Sequence, residues 1–173
     1  MVLSAWLRNL FLVVFAVFFL ASSGNAHNKA IVVRVVDGDT LTVEMNGQQE
    51  AVRLIGIDTP ESKNNNKARK DAVKTHHDIE AITAMGKEAT RYVKTLVRKG
   101  DMVEIEFDIQ RRDKYNRLLV YAYLSDGKML NEEIIKAGYA NVMTYPPNVK
   151  YQDRFVRAYR EARDTKRGLY RDS

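Results

Sequence analysis

There is no cysteine anywhere in the 173 residues. That absence excludes disulfide cross-links and a lipid-modified N-terminal cysteine, and leaves an ordinary hydrophobic core to supply the stability of the fold. No apolar run is long enough to be read as a membrane span. The one at residues 10–21 falls short of the roughly 20 residues that a span requires. A zinc site is equally unsupported. His76 and His77 are adjacent, so on a helix they point about 100° apart, and no cysteine or neighbouring third histidine completes a ligand set. Neither an internal repeat nor a second domain is visible.

The short apolar run follows a single arginine, Arg8, and precedes the small and polar residues Ser22, Ser23, Gly24, Asn25 and Ala26. This is the pattern of a secretory leader, with cleavage expected after Ala26, so that residues 1–26 form a signal and residues 27–173 the working domain; the alternative is an uncleaved N-terminal anchor, which leaves the domain outside the cytoplasm as well. The protein is then expected to be exported, either secreted or periplasmic, with no lasting membrane association. Just under 150 residues can bury a sizeable core. Lys and Arg number 28 against 22 Asp and Glu, a formal net charge of +6; Arg8 is the only one of these in the leader. A basic excess favours polyanionic partners, although solubility alone also accounts for it. Nothing in the sequence marks an interface between copies, and a monomer is expected.

Chemistry is concentrated in RVVDGDTLTVEMNGQQEAVRLIGIDTPE, residues 34–61. Alternating apolar residues, a turn at Asp37-Gly38-Asp39 and the two-residue hairpin signal Asn46-Gly47 describe a three-stranded meander. Counting outward from the hairpin sets Arg53 opposite Thr40, next to Asp39, whereas Asp58 overshoots that register. The third strand must bend for Asp58 to join Asp39, and Gly56 is the place for such a bend. Three carboxylates (Asp39, Asp58, Glu61) and Arg53 would thereby converge at strand ends.

Residues 62–78 are polar and charged and read as a surface loop or weak helix, whose Lys63, Lys67, Arg69, Lys70 and Lys74 could touch a phosphate backbone but more commonly form a solvated face. A helix follows from about Ile79, with Ile82, Met85, Ala89, Tyr92, Val93, Leu96 and Val97 as a core stripe that ends before Gly100. Strands are expected at 102–109 and 118–124. Asn131 is placed as the N-cap of a short helix. A tyrosine-bearing loop with Pro146-Pro147 leads to a last helix that carries Tyr151, Phe155, Ala158, Tyr159 and Ala162 on one face and solvated arginines elsewhere, with Gly168 as its stop. Five strands, with a helix between the third and fourth and two more at the end, make an α+β chain built on a barrel. This is the order of an OB-fold, a five-stranded Greek-key barrel.

VVDGDT at 35–40, RLIGIDTPE at 53–61 and DKYNR at 113–117, supported by DGKMLNE at 126–132, occur in order and at spacings a barrel accommodates. In these segments the chain resembles the secreted thermonuclease family typified by staphylococcal nuclease, and the resemblance runs from about Ile31 to Gly168. It implies a calcium-dependent nuclease that hydrolyses DNA and RNA at the 5′ P–O bond and leaves 3′-phosphates. By the same resemblance the Asp39 and Asp58 side chains and the Thr59 carbonyl hold Ca²⁺, a hard cation suited to oxygen ligands. Glu61 is the general base, and Arg53 and Arg117 clamp the phosphoryl oxygens, for which the guanidinium fork is well shaped. Lys114 and Tyr115 contact a neighbouring phosphate, Tyr145 lies beside a base, and Asp37 either orients a bound water or ligand or serves the turn alone. Asn116 stands where the family commonly has glycine and is expected to take left-handed backbone. The segment 62–85 is longer than in the staphylococcal protein.

The competing class is an exported OB-fold module that binds nucleic acid without cutting it. Such a relative would be expected to lose Glu61 or an arginine first, and all six positions of the site are kept here.

Overall fold

A computed structural model describes residues 28–76 and 78–171, so the leader expected at 1–26 lies outside the described residues. Strands β1 (Asn28–Val35), β2 (Thr40–Met45) and β3 (Gln48–Leu54) form the expected antiparallel meander. Both hairpin residues take positive φ, 54° at Asn46 and 74° at Gly47, the conformation a tight two-residue connection requires. Thr40 pairs with Arg53, as the count from the hairpin predicts.

Three residues beyond Arg53 the chain leaves the barrel. Gly56 has φ 79°, and a Cβ at that position would lie 2.5 Å from the Phe155 ring, so only glycine allows both the turn and the close packing. The bend expected there is present. The next three residues, β4 (Gly56–Asp58), pair with β7 (Asn141–Met143) in a separate two-stranded sheet. Elements this short carry no readable periodicity, so this sheet could not be expected from the sequence.

The barrel closes through β5 (Met102–Arg112) and β6 (Leu118–Tyr123) in the order β1-β2-β3-β6-β5, with β3 and β6 parallel and β5 returning to β1. Its interior is filled by Val32, Val43, Val52, Ile105 and Val120, all fully buried. Mixed pairing in a closed five-stranded barrel is the OB-fold arrangement.

Four α-helices, one more than expected, surround the barrel among the described residues. The extra one, α1 (Asn66–Thr75), lies inside the segment read as a loop or weak helix. Its N-cap Asn65 accepts from the Ala68 N–H at 2.9 Å, and Ala68 is its one buried residue, so its composition stays that of a solvated segment. Helix α2 (Ile79–Leu96) buries Ile82, Ala89 and Val93 of the predicted stripe.

Three expectations at the C-terminal helices are corrected. Asn131 is not a cap: α3 (Leu130–Lys136) starts after Met129, and Asn131 lies inside it, fully buried. Its amide donates to the Ile55 and Val120 carbonyls at 2.9 and 3.2 Å, and its carbonyl accepts from Ala122 N–H at 3.0 Å. Burial without unpaired polar groups required partners that a sequence count cannot see. Arg154 on α4 (Gln152–Asp164) is not merely solvated, because it forms a forked pair with Glu132 at 2.8 and 2.5 Å that ties α4 to α3. Helix α4 stops at Asp164, and Gly168 instead opens a 3-10 turn (Gly168–Tyr170).

Candidate active site

A cleft of about 760 Å³ opens where β3 leaves the barrel. Asp37, Asp39, Arg53, Asp58, Glu61, Lys114, Tyr115, Arg117 and Tyr145 all line it. The remaining predicted site residue, Thr59, is buried and does not line the cleft, but its carbonyl accepts a hydrogen bond at 3.1 Å from the cleft-lining Lys67.

The β2–β3 register sets Arg53 beside the start of β2, and the Gly56 bend brings Asp58 back toward it. As a result one Arg53 nitrogen, Nη2, is 3.1 Å from Asp39 Oδ2 and 3.3 Å from Asp58 Oδ1. Its Nη1 donates to the Leu54 carbonyl at 2.7 Å, which fixes the plane of the guanidinium. Asp39 accepts from the Thr59 N–H at 3.0 Å and from the Thr40 hydroxyl at 3.0 Å. Asp37 lies behind it and accepts from the Asp39 N–H at 3.2 Å. Burial, helped by the nearby Asp39 charge, pushes the Asp37 carboxyl up to about 6. Burial also raises Asp58, against the opposing pull of Lys67.

Glu61 follows Asp58 on the descending chain and is held from two sides. Gly86 of α2 is packed flush against its backbone: a Cβ there would lie 2.3 Å from the Glu61 carbonyl. The Asn65 amide donates to Glu61 Oε2 at 2.7 Å. Lys67 is the cationic centre of this corner, with Nζ 3.2 Å from Asp58 Oδ1, 3.1 Å from the Thr59 carbonyl and 3.1 Å from Glu61 Oε1. Burial alone would lower the lysine, but Asp58 and Glu61 outweigh it and hold it above the usual range.

Arg117 sits on the far end of the β5–β6 connection. Its Nε and Nη2 both pair with Asp113 Oδ2 at 2.7 Å, and Asp113 Oδ1 accepts the Arg117 N–H at 2.9 Å. The left-handed backbone expected at Asn116 is present, with φ 65°. The Tyr115 ring lies under both Lys114 Nζ, at 5.0 Å, and the Arg117 guanidinium, at 5.5 Å, and is largely exposed. Tyr145 is also largely exposed, and its loop is tied to β5 by Asn148, which exchanges 2.8 Å hydrogen bonds with the Gln110 main chain.

Lys67 and Asp113 were not singled out from the sequence. Lys67 looked like one lysine among several on a solvated face. The available signal was the Asn65 cap, which starts a helix and aims its first turn, Lys67 included, at Glu61. No group of three His, Cys, Asp or Glu side chains arranged to hold a metal occurs among the described residues. The oxygens that do converge are two carboxylates and one main-chain carbonyl. They are hard donors already facing cationic nitrogens, so their chemistry fits a hard cation.

Comparison with known proteins gives a consistent result. The profile described as staphylococcal nuclease homologue matches residues 51–172. The chain is similar to the thermonuclease of Staphylococcus hyicus, 33% identical over 168 residues that cover 92% of this chain and 90% of that protein. It is 37% identical over 145 residues to the thermonuclease of Staphylococcus intermedius, covering 83% and 77%. Endonuclease YncB of Bacillus subtilis (strain 168) is 38% identical over 142 residues; the match covers 81% of this chain and 60% of that longer relative.

Proposed function

Starting from a chain that belongs to the family of staphylococcal nuclease homologues, we propose that this nuclease is an exported, calcium-dependent phosphodiesterase. It cuts DNA and RNA at the 5′ P–O bond and leaves 3′-phosphate ends. One piece of geometry carries the proposal: Asp39, Asp58, the Thr59 carbonyl and Glu61 gather at one corner beside Arg53, and Arg117 lines the same cleft.

Asp39, Asp58 and the Thr59 carbonyl are the groups that would hold calcium. Once bound, the ion supplies Lewis-acid stabilisation of phosphoryl charge and lowers the pKa of a water. Glu61, its backbone fixed against Gly86, takes the proton from the attacking water. Arg53 and Arg117 donate to the non-bridging oxygens as negative charge builds on them. Both are already oriented, Arg53 by the Leu54 carbonyl and Arg117 by Asp113, so little reorganisation is needed during the reaction. Lys114 and Tyr115 receive the neighbouring phosphate, and Tyr145 offers a ring for a base to stack on. Asp37 steadies the Asp39 backbone through the N–H it accepts. Contacts confined to phosphates and base faces do not depend on the 2′-hydroxyl, hence the tolerance of both sugars.

The test is to incubate the purified protein with single-stranded DNA, with calcium and with a calcium chelator, and to identify the fragment ends. Cutting that needs calcium and yields 3′-phosphates is expected. Cutting that persists in chelator would remove the calcium assignment, and binding without cutting would identify a nucleic-acid-binding barrel.

A further inference from the structure

Lys67 belongs to none of the roles above, yet its ammonium occupies the most oxygen-rich corner of the cleft. Two of its three oxygen partners at 3.1–3.2 Å, Asp58 Oδ1 and the Thr59 carbonyl, are groups assigned to the cation, and the third is the base, Glu61 Oε1. Calcium approaches its oxygens to about 2.3–2.6 Å. An ammonium bonded to the same two oxygens cannot stay in place beside it.

We propose that Lys67 is a tethered counter-cation that holds the site assembled without metal and must be displaced for metal to bind, so that it raises the calcium concentration at which the nuclease switches on. This rests on the assignment of Asp58 and Thr59 as cation ligands.

The placement of Lys67 is built in by its surroundings. It lies in the first turn of α1, which Asn65 caps through Ala68 N–H while its amide donates to Glu61, and Ala68 anchors the helix by full burial. The side chain is therefore delivered to the corner by a docked helix. A second acceptor is also at hand: Asp71, one turn along α1, has Oδ2 3.7 Å from Nζ. When displaced, the ammonium can move toward Asp71 without losing all carboxylate contact. The same movement releases Glu61 from its ion pair. Metal entry and liberation of the base are thereby one event, and Lys67 acts as a positioning residue for both.

The experiment compares the parent protein with Lys67→Met, Lys67→Gln and a control, Lys70→Met, which removes an equal charge from an exposed position on the same helix. Calcium binding is measured by titration calorimetry, and heat unfolding is followed in chelator and in calcium. In chelator both Lys67 variants are expected to melt below the parent and the control, since Glu61 loses its counter-charge and Asp58 keeps only Arg53. Calcium is expected to bind them about tenfold more tightly than the parent, an effect of ordinary size for two opposed ligands on one protein. If Lys67→Met is unfolded in chelator, Lys67→Gln, which keeps a hydrogen-bond donor at the corner, carries the comparison of calcium affinity. Equal calcium affinity in the Lys67 variants, the control and the parent would overturn the role of Lys67 and leave the calcium site standing. No calcium binding to any of the four would overturn both.

Discussion

Glu61 and Arg53 show how much the site depends on neighbours for the behaviour of single side chains. A carboxylate is a weak base near neutral pH, and Glu61 is further tied to Asn65 and Lys67, so its usefulness depends on held position rather than intrinsic strength. Glu61→Gln keeps shape and hydrogen bonding while removing the proton acceptor. It is expected to lower kcat by roughly 10² to 10⁴ with substrate affinity little changed, as steady-state kinetics on single-stranded DNA would show. Arg53→Ala should cost at least about 10² to 10³ in rate, the usual loss for one transition-state donor. It also strips Asp39 and Asp58 of their shared partner, so its unfolding midpoint must be measured alongside its activity. Parent-like turnover in either variant would remove the assigned role.

Among the elements, α2 and the α3–α4 pair have distinct duties. Replacing Gly86 with alanine should favour α2 by up to about 1 kcal/mol on helix propensity alone. The close approach to the Glu61 carbonyl opposes this, because the new Cβ must push that backbone aside. Gly86→Ala is therefore expected to retain the fold, as judged by circular dichroism, while losing roughly a hundredfold in rate, the scale of a 1 Å misplacement at a reacting centre.

The α3–α4 clamp is purely structural. Glu132 is buried, and although burial would raise its carboxyl, the pairs with Arg154 and Lys136 hold it below the usual range. A lowered folded-state pKa adds stability above the unfolded value of about 4.3, which is lost as pH falls through the folded value. Glu132→Gln should lower the melting temperature at pH 7 and narrow its difference from the parent as pH falls below 4. A constant difference across that range would show that the clamp does not act through charge.

At the level of the whole molecule, the basic excess and the cleft act together. Arg53, Lys114 and Arg117 line the cleft, and with the two arginines on one phosphate and Lys114 on its neighbour, two neutralised phosphates on a single strand imply a salt slope of about −1.4. Affinity for single-stranded DNA, measured on Glu61→Gln to prevent cutting, is expected to fall roughly 25-fold for each tenfold rise in salt. A flat dependence would place the binding energy elsewhere.

The meander, the hairpin register that sets Arg53 beside Asp39, the bend at Gly56 and the core stripe of α2 were all legible in the chain. Each depends on interactions between residues near in sequence: alternation, turn conformation and helical spacing. The residues expected at the site come to one cleft for the same reason, since most lie within a few positions of a strand end whose register is locally determined. Tertiary structure alone decided the rest. Asn131 became an internal latch, Arg154 a clamp, Gly86 a seat for Glu61 and Lys67 the cation of the site. All four depend on partners brought close by folding, and composition cannot distinguish a lysine facing water from one facing three oxygens until a helix has docked.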